Sequence, residues 1–285
     1  MPELPEVETI KNDLKKKILK KEIESVEILK KTIRGNEREF KRILEGNYFK
    51  SINRIGKLLF FELGNKKNFL LVHLKMTGQL VYMYKKYLIA GGHFTSNFGR
   101  LPNEFTRVIL KFKNDSSLYF NDMRRFGYME IVDSKGLEKV KARFGIEPLT
   151  SNFKFNDFKK IFAKRKAPVK AVLMNQKLIA GIGNIYADEI LFESRIMPTR
   201  LANTLSEPEL KRIFEASKTV LKRAIKYRGT TFRNYVDSEG KKGSFVNFLR
   251  IYGRKEGGAC YRCDGIVKTV KIGGRTTKYC SGCQK

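Results

Sequence analysis

Four cysteines, Cys260, Cys263, Cys280 and Cys283, fall in the last 26 residues of a 285-residue chain. They form two Cys-x2-Cys pairs separated by 16 residues. Each pair can present two thiolates from one tight turn, and two such turns complete the tetrahedron that zinc takes with sulfur ligands. Four thiolates leave no coordination position open, so one structural Zn2+ is expected rather than a catalytic one. Two disulfides would use the same residues but need an oxidising compartment. Between the pairs, Val267–Thr277 reads as a hairpin whose Gly273-Gly274 turn precedes an exposed Arg275. A basic zinc hairpin suits DNA, but it equally suits a zinc ribbon in a translation or transcription factor, so it gives no activity. With only two histidines, His73 and His93, most histidine-based catalytic schemes lack parts.

Charge narrows the partner. The chain carries 59 Lys+Arg against 29 Asp+Glu, a formal net charge of +30. An excess of that size favours a polyanion, because each neutralised phosphate releases condensed counterions. Hydrophobic content of 41% excludes a disordered basic tail. No apolar run approaches the ~18 residues of a membrane span. The opening Met1-Pro2-Glu3-Leu4-Pro5-Glu6 lacks the basic-then-apolar order of a signal peptide, so an intracellular, cytoplasmic protein is expected.

Several elements must position these residues. Val7, Ile10, Leu14 and Ile18 recur at helical spacing over 6–20. From about 23 to 132 the pattern turns to strands, clearest at Lys57–Leu63, Phe69–Leu74, Val108–Phe112 and Ser117–Phe120. Lys85–Glu104 reads as a long loop, and 134–150 as a linker. Helical patterns follow at Phe155–Phe162, Val169–Met174, Tyr186–Phe192 and Glu207–Tyr227, with Pro208 near the start of the last, where proline is tolerated. Glycines among polar residues over 228–250 suggest a mobile loop. Gly181-Ile182-Gly183-Asn184 has no strand leading into it, so it is poor evidence for a dinucleotide site. Glycines at a helix start do suit phosphate contacts.

Met1-Pro2-Glu3-Leu4-Pro5-Glu6-Val7-Glu8-Thr9, Arg124-Arg125-Phe126-Gly127, Gly181–Ala187 and the zinc tail ending in Cys280-Ser281-Gly282-Cys283-Gln284-Lys285 occur in an order that resembles the bacterial formamidopyrimidine-DNA glycosylases over nearly the whole chain. The resemblance implies an α+β protein of four parts. These are an N-terminal catalytic β-sandwich with a flanking helix over 1–133, a linker over 134–150, a helix–two-turn–helix DNA-binding region over 151–242, and a zinc finger over 243–285. It implies a bifunctional glycosylase and abasic-site lyase of base excision repair, acting as a monomer on damaged double-stranded DNA and removing 8-oxoguanine and formamidopyrimidines.

Pro2 is then the nucleophile. Methionine before a small residue is normally removed, which exposes a secondary amine, and an α-amino group of pKa near 8 is partly neutral at pH 7. Outside this context Pro2 and Glu3 would be an ordinary helix start. By resemblance Glu3 is the acid that protonates the opening sugar. Lys57 donates a proton in β-elimination and contacts phosphate, and Arg275 serves the δ-elimination and the lesion's 5′ side. Met76, Arg124 or Arg125, and Phe126 fill the hole left by an extruded base. Asn184, Arg165 and Lys170 contact DNA, and Gly229–Gly243 is the loop that closes over the oxidised purine. Two positions depart from the family. Glu104-Phe105-Thr106-Arg107-Val108 stands where a Lys-His-x-His-Val segment is common, which removes a DNA-contacting histidine that His93 is too distant in sequence to replace. Met123 replaces a proline before the arginine pair. Three other readings stay open: the sister endonuclease VIII type acting on oxidised pyrimidines, a zinc-bearing DNA-binding protein without catalysis, and a ribosomal zinc-ribbon protein.

Overall fold

The structure, a computed structural model, describes residues 1–84, 101–230 and 244–285, and the main chain of 87–92. Two compact units emerge, and they do not follow chain order. The first comprises Met1–Lys141 and Tyr227–Val246, the second Ala142–Lys226 and Asn247–Lys285.

The first unit opens with α1 (Leu4–Ile18). Glu3 and Glu6 form a capping box at its start, which satisfies main-chain N–H groups that a helix end leaves unpaired. Val7, Ile10, Leu14 and Ile18 are all buried, as their spacing predicts. Burial of such side chains contributes about 2 kcal/mol each. The strands are β1 (Ile23–Ile28), β2 (Ile33–Arg34), β3 (Phe49–Ile55), β4 (Leu58–Leu63), β5 (Asn68–His73), β6 (Gly78–Tyr84), β7 (Tyr87–Gly92), β8 (Thr106–Phe112), β9 (Ser116–Asp122) and β10 (Tyr128–Asp133). They build two five-stranded sheets, ordered β1-β8-β9-β6-β7 and β2-β10-β5-β4-β3. The short β2 runs parallel to β10, whereas neighbours such as β4 and β5 are antiparallel. The core draws on both sheets and α1. Phe49, Leu59, Phe61, Val72, Phe112 and Phe120 are buried in it, and Val72 faces Leu59 across β5 and β4.

Three elements differ from the sequence pattern. Glu37–Leu44 forms a helix, α2, inside the stretch read as strands. Asn36 caps it by accepting from the Glu39 N–H (3.1 Å), and Phe40 and Leu44 bury its one apolar face. Local capping outweighs the strand context there. Residues 87–92 pair with β6 as β7, in a stretch read as loop. Ser134–Lys141 is a helix, α3, where a linker is predicted.

The second unit contains α4 (Phe155–Ala163), α5 (Val169–Met174), α6 (Asn184–Ser194) and α7 (Glu207–Lys226). Phe153, Phe158 and Phe214 pack together, with Phe153 and Phe214 centroids 4.6 Å apart, and join α4 to α7. Helix α6 is buried almost all round, which its mixed sequence, with Asp188 and Glu189 among apolar residues, does not signal. β11 (Val267–Ile272) and β12 (Arg275–Cys280) form the expected hairpin. Gly273 and Gly274 both take positive φ (54° and 72°), as a two-residue hairpin turn requires. No helix among the described residues is long and apolar enough to cross a membrane.

Candidate catalytic residues, nucleic-acid contacts and metal centre

In the first unit, Pro2 and Glu3 are buried at the mouth of α1, Glu3 being 2% exposed. Glu6, also buried, accepts from the Glu3 N–H through Oε2 (2.9 Å). Its Oε1 accepts from the Thr230 N–H (2.8 Å) and hydroxyl (3.1 Å). Arg228 reaches Asp13 on the same helix at 2.5 Å. The returning segment is thus tied twice to α1, beside the helix start. Of the 228–250 stretch read as a mobile loop, residues 231–243 lie outside the described residues, as does most of Gly229–Gly243. His93 lies outside them too.

Lys57 occupies the Gly56-Lys57 turn between β3 and β4 rather than the strand itself, and is 6% exposed. Arg54 locks this hairpin to α1. Its Nε donates to Glu8 Oε2 (3.0 Å) and its Nη1 to the Gly56 carbonyl (2.9 Å). His73, opposite Leu58 on β5, accepts from the Lys75 N–H through Nδ1 (3.0 Å). Burial, with the charges of Lys75, Lys57 and Arg34, lowers its pKa to about 3, so the ring is neutral at pH 7.

Met76, half-buried, lies in the loop between β5 and β6, and the exposed Arg124, Arg125 and Phe126 lie in the loop between β9 and β10. The structure brings these loops together through Asp122, which is fully buried. Its Oδ1 accepts from the Thr77 hydroxyl and from the Arg124 N–H (3.2 Å), and its Oδ2 from the Gly127 N–H (2.7 Å). The Thr77 hydroxyl oxygen also accepts from the Arg124 N–H (3.0 Å). Phe126 is 52% exposed, and the Arg124 guanidinium lies 4.8 Å from its ring centre. Sequence reasoning misses Asp122 and Thr77. The available signal is an Asp immediately before a loop, the residue type that binds main-chain N–H groups of a turn.

In the second unit, Arg275 is exposed at the start of β12. Arg165 is half-buried and its Nη1 donates to the Ile161 carbonyl. Asn184 begins α6, and its Nδ2 donates to the Thr276 carbonyl (3.2 Å). Lys170 corrects the expectation. It is fully buried, 2.7 Å from Asp188 Oδ1, and donates to Thr277 Oγ1 (2.8 Å). Its ammonium is committed inside the protein and is not a surface cation. Burial pushes the Asp188 carboxyl up to about 7 even with Lys170 against it. Asp188 Oδ2 also accepts from the Lys278 N–H (3.1 Å), so the pair joins α5 and α6 to the hairpin.

The four cysteines are free and their sulfurs lie within 4.8 Å of one another. Cys260 and Cys283 are 3.9 Å apart, Cys263 and Cys280 3.6 Å. Tetrahedral zinc with bonds of ~2.3 Å places sulfurs about 3.8 Å apart, so the donor set fits. The N–H groups of Arg262, Gly265 and Gly282 point at three of the sulfurs (3.3, 3.4 and 3.3 Å), an arrangement that favours thiolates.

A two-sheet unit, a helical unit whose α5 and α6 are joined by a glycine-bearing double turn, and a hairpin whose four thiols could hold a metal ion define a helix–two-turn–helix type of nucleic-acid-binding protein. Comparison with known proteins narrows the class. The formamidopyrimidine-DNA glycosylase N-terminal domain matches residues 1–129, and that family's H2TH domain matches residues 144–236. The formamidopyrimidine-DNA glycosylase of Carboxydothermus hydrogenoformans is 41% identical over 287 residues, covering 100% of both chains. That of Listeria monocytogenes serotype 4b is 36% identical, again with 100% of both chains covered. A complex between the Lactococcus lactis Fpg and DNA containing an abasic site superposes with a TM-score of 0.87 at 31% identity, over 99% of each chain. A complex of the wild-type Lactococcus lactis protein with DNA containing N7-benzyl-Fapy-dG gives 0.87 at 31% over 100% of each. The chain belongs to the formamidopyrimidine-DNA glycosylase family.

Proposed function

We propose that the chain is a bifunctional DNA glycosylase and abasic-site lyase of base excision repair, which removes 8-oxoguanine and formamidopyrimidines from duplex DNA. The observation that carries this reading is the start of α1, where Pro2 and Glu3 are buried and Glu6 holds the Glu3 main chain. After loss of Met1, the Pro2 nitrogen is a secondary amine. Its lone pair attacks the sugar C1′, the C1′–base bond breaks, and the base leaves. Glu3 protonates the sugar oxygen as the ring opens. The resulting iminium withdraws electrons, so loss of a C2′ proton expels the 3′ phosphate in β-elimination. Lys57 supplies a proton and a phosphate contact, and Arg275 supports the second elimination on the 5′ side. Met76, Phe126 and an arginine from Arg124 and Arg125 occupy the gap left by the extruded base. Asn184 and Arg165 contact phosphate. The four thiolates hold one structural zinc, which fixes the hairpin that carries Arg275. The enzyme works as a monomer in the cytoplasm, on damaged double-stranded DNA.

Borohydride trapping on an 8-oxoguanine·cytosine duplex tests this. The reductant freezes an iminium as a covalent adduct. Wild type should cross-link, with mass spectrometry placing the DNA on Pro2, while Pro2→Gly and Glu3→Gln lose most excision. A processed protein that binds the duplex yet never cross-links or cleaves it, nor any other oxidised base or abasic site, sinks the enzyme reading.

A further inference from the structure

Arg107 sits at an irregularity in the β8–β9 ladder. Thr106 faces Asn121 and Val108 faces Phe120, so Arg107 is an extra residue on its strand. Such bulges re-aim a side chain at a strand end. Here the side chain is 2% exposed and turned to the end of β9. Its Nε and Nη2 both donate to the Asp122 carbonyl (2.9 and 2.7 Å), and its Nη1 donates to the Glu104 carbonyl (3.2 Å). Burying a guanidinium on main-chain acceptors is costly, and the cost is offset only where the hydrogen bonds are well formed. The acceptor is the last residue of β9, from which the loop bearing Arg124, Arg125 and Phe126 departs.

We propose that Arg107 is a positioning residue for the side chains that fill the DNA stack. It fixes the Asp122 peptide, and the Asp122 carboxylate in turn fixes the Met76–Thr77 loop and both ends of the Arg124–Phe126 loop. Gly127 shows how little slack this leaves. A Cβ there would lie 2.9 Å from Phe120 Cζ, 3.0 Å from Asp122 Oδ2 and 3.0 Å from the His73 carbonyl. One of the two histidine positions of the Lys-His-x-His-Val segment common in the family thus holds an internal strut in this chain. The inference rests on the reading that these loops enter duplex DNA.

The test separates work that needs stack filling from work that does not. Arg107→Ala, Arg107→Lys and Asp122→Asn are assayed for excision from 8-oxoguanine duplexes with cytosine or adenine opposite. The same proteins are assayed for borohydride trapping on a single-stranded abasic oligonucleotide, which has no partner strand and no gap. Arg107→Ala should lose roughly 10- to 100-fold in duplex excision, the scale of a misplaced contact, and should blur the cytosine–adenine preference. Single-strand trapping should stay within about 2-fold on the same scale. Arg107→Lys, which keeps charge and part of the bonding, should fall between and covers the case in which Arg107→Ala does not fold. Equal loss in both assays, or an unchanged opposite-base preference, overturns the proposal. Failure of wild type to trap would instead overturn the enzymatic reading beneath it.

Discussion

In the first unit Met76, Arg124, Arg125 and Phe126 are presented by loops whose base is one buried carboxylate, Asp122, held by two N–H donors and a hydroxyl. In the second unit Arg275 is presented by a hairpin whose base is four thiols and whose flank is a buried ion pair, Lys170 with Asp188. The contrast is one of materials. Hydrogen bonds from a rigid sheet can hold a short loop, because the strands already fix most of its ends. A two-stranded hairpin alone is marginal in water, and it needs a cross-link at its base. The first region should therefore be indifferent to metal and sensitive to single hydrogen bonds. The second should depend on metal and on charge pairing.

Metal removal gives the largest expected effect. Structural zinc contributes on the order of 10 kcal/mol to small zinc domains. Chelation, or Cys263→Ser, should release the metal and lower duplex affinity by at least ~100-fold, about 3 kcal/mol. Zinc should restore the chelated protein but not the variant. Metal analysis beside a binding titration measures this. A metal-free chain that binds duplex as tightly as the loaded one would break the comparison.

The buried pair comes next. Lys170→Met or Asp188→Leu alone leaves one charge buried without its partner, at a cost of about 3–5 kcal/mol. The double variant should recover most of that loss, because two apolar side chains can fill the space. In the first unit, Asp122→Asn should cost less, about 1–3 kcal/mol, since it keeps the shape and part of the bonding. Denaturant unfolding ranks the four variants. A double variant as unstable as the sum of its singles would show that the pair is not a unit.

The legibility of these regions in sequence follows the range of the interactions. The thiol hairpin is readable down to its turn, because Cys-x2-Cys and Gly-Gly act over a few residues. The α1 face is readable from the period of Val7, Ile10, Leu14 and Ile18. Helix α2 is hidden because its signal is one capping residue, Asn36, inside a strand-rich region. Lys170 escapes because a lysine in a basic run looks solvated. Its partner Asp188 is 18 positions away in sequence, and only the packing of α5 on α6 brings them together. Arg107 stands out only as a departure from a family pattern, since a bulge on β8 leaves no mark in composition.

Acid should move the two regions in opposite directions, with the smallest effect of the three. His73 holds the Lys75 N–H through an unprotonated Nδ1. Its pKa is lowered from 6.5 to about 3 in the fold. Between those values the unfolded chain binds a proton that the folded chain does not. This stabilisation is therefore present above pH 6.5 and is lost as pH falls toward 3, by about 1.4 kcal/mol at pH 5.5. Asp188 has the opposite sign. Its pKa is raised from 3.8 to about 7, so the folded chain gains a proton first as pH falls, and acid relieves the burial of its charge. Comparing wild type with His73→Asn, whose side-chain oxygen can accept the same N–H without titrating, isolates the first contribution. From pH 8 to 5.5, wild type should lose about 1.4 kcal/mol relative to that variant. Imidazole NMR should show no His73 titration over that range; a midpoint near 6.5 would mean that the loop in the first unit is not held by a neutral ring.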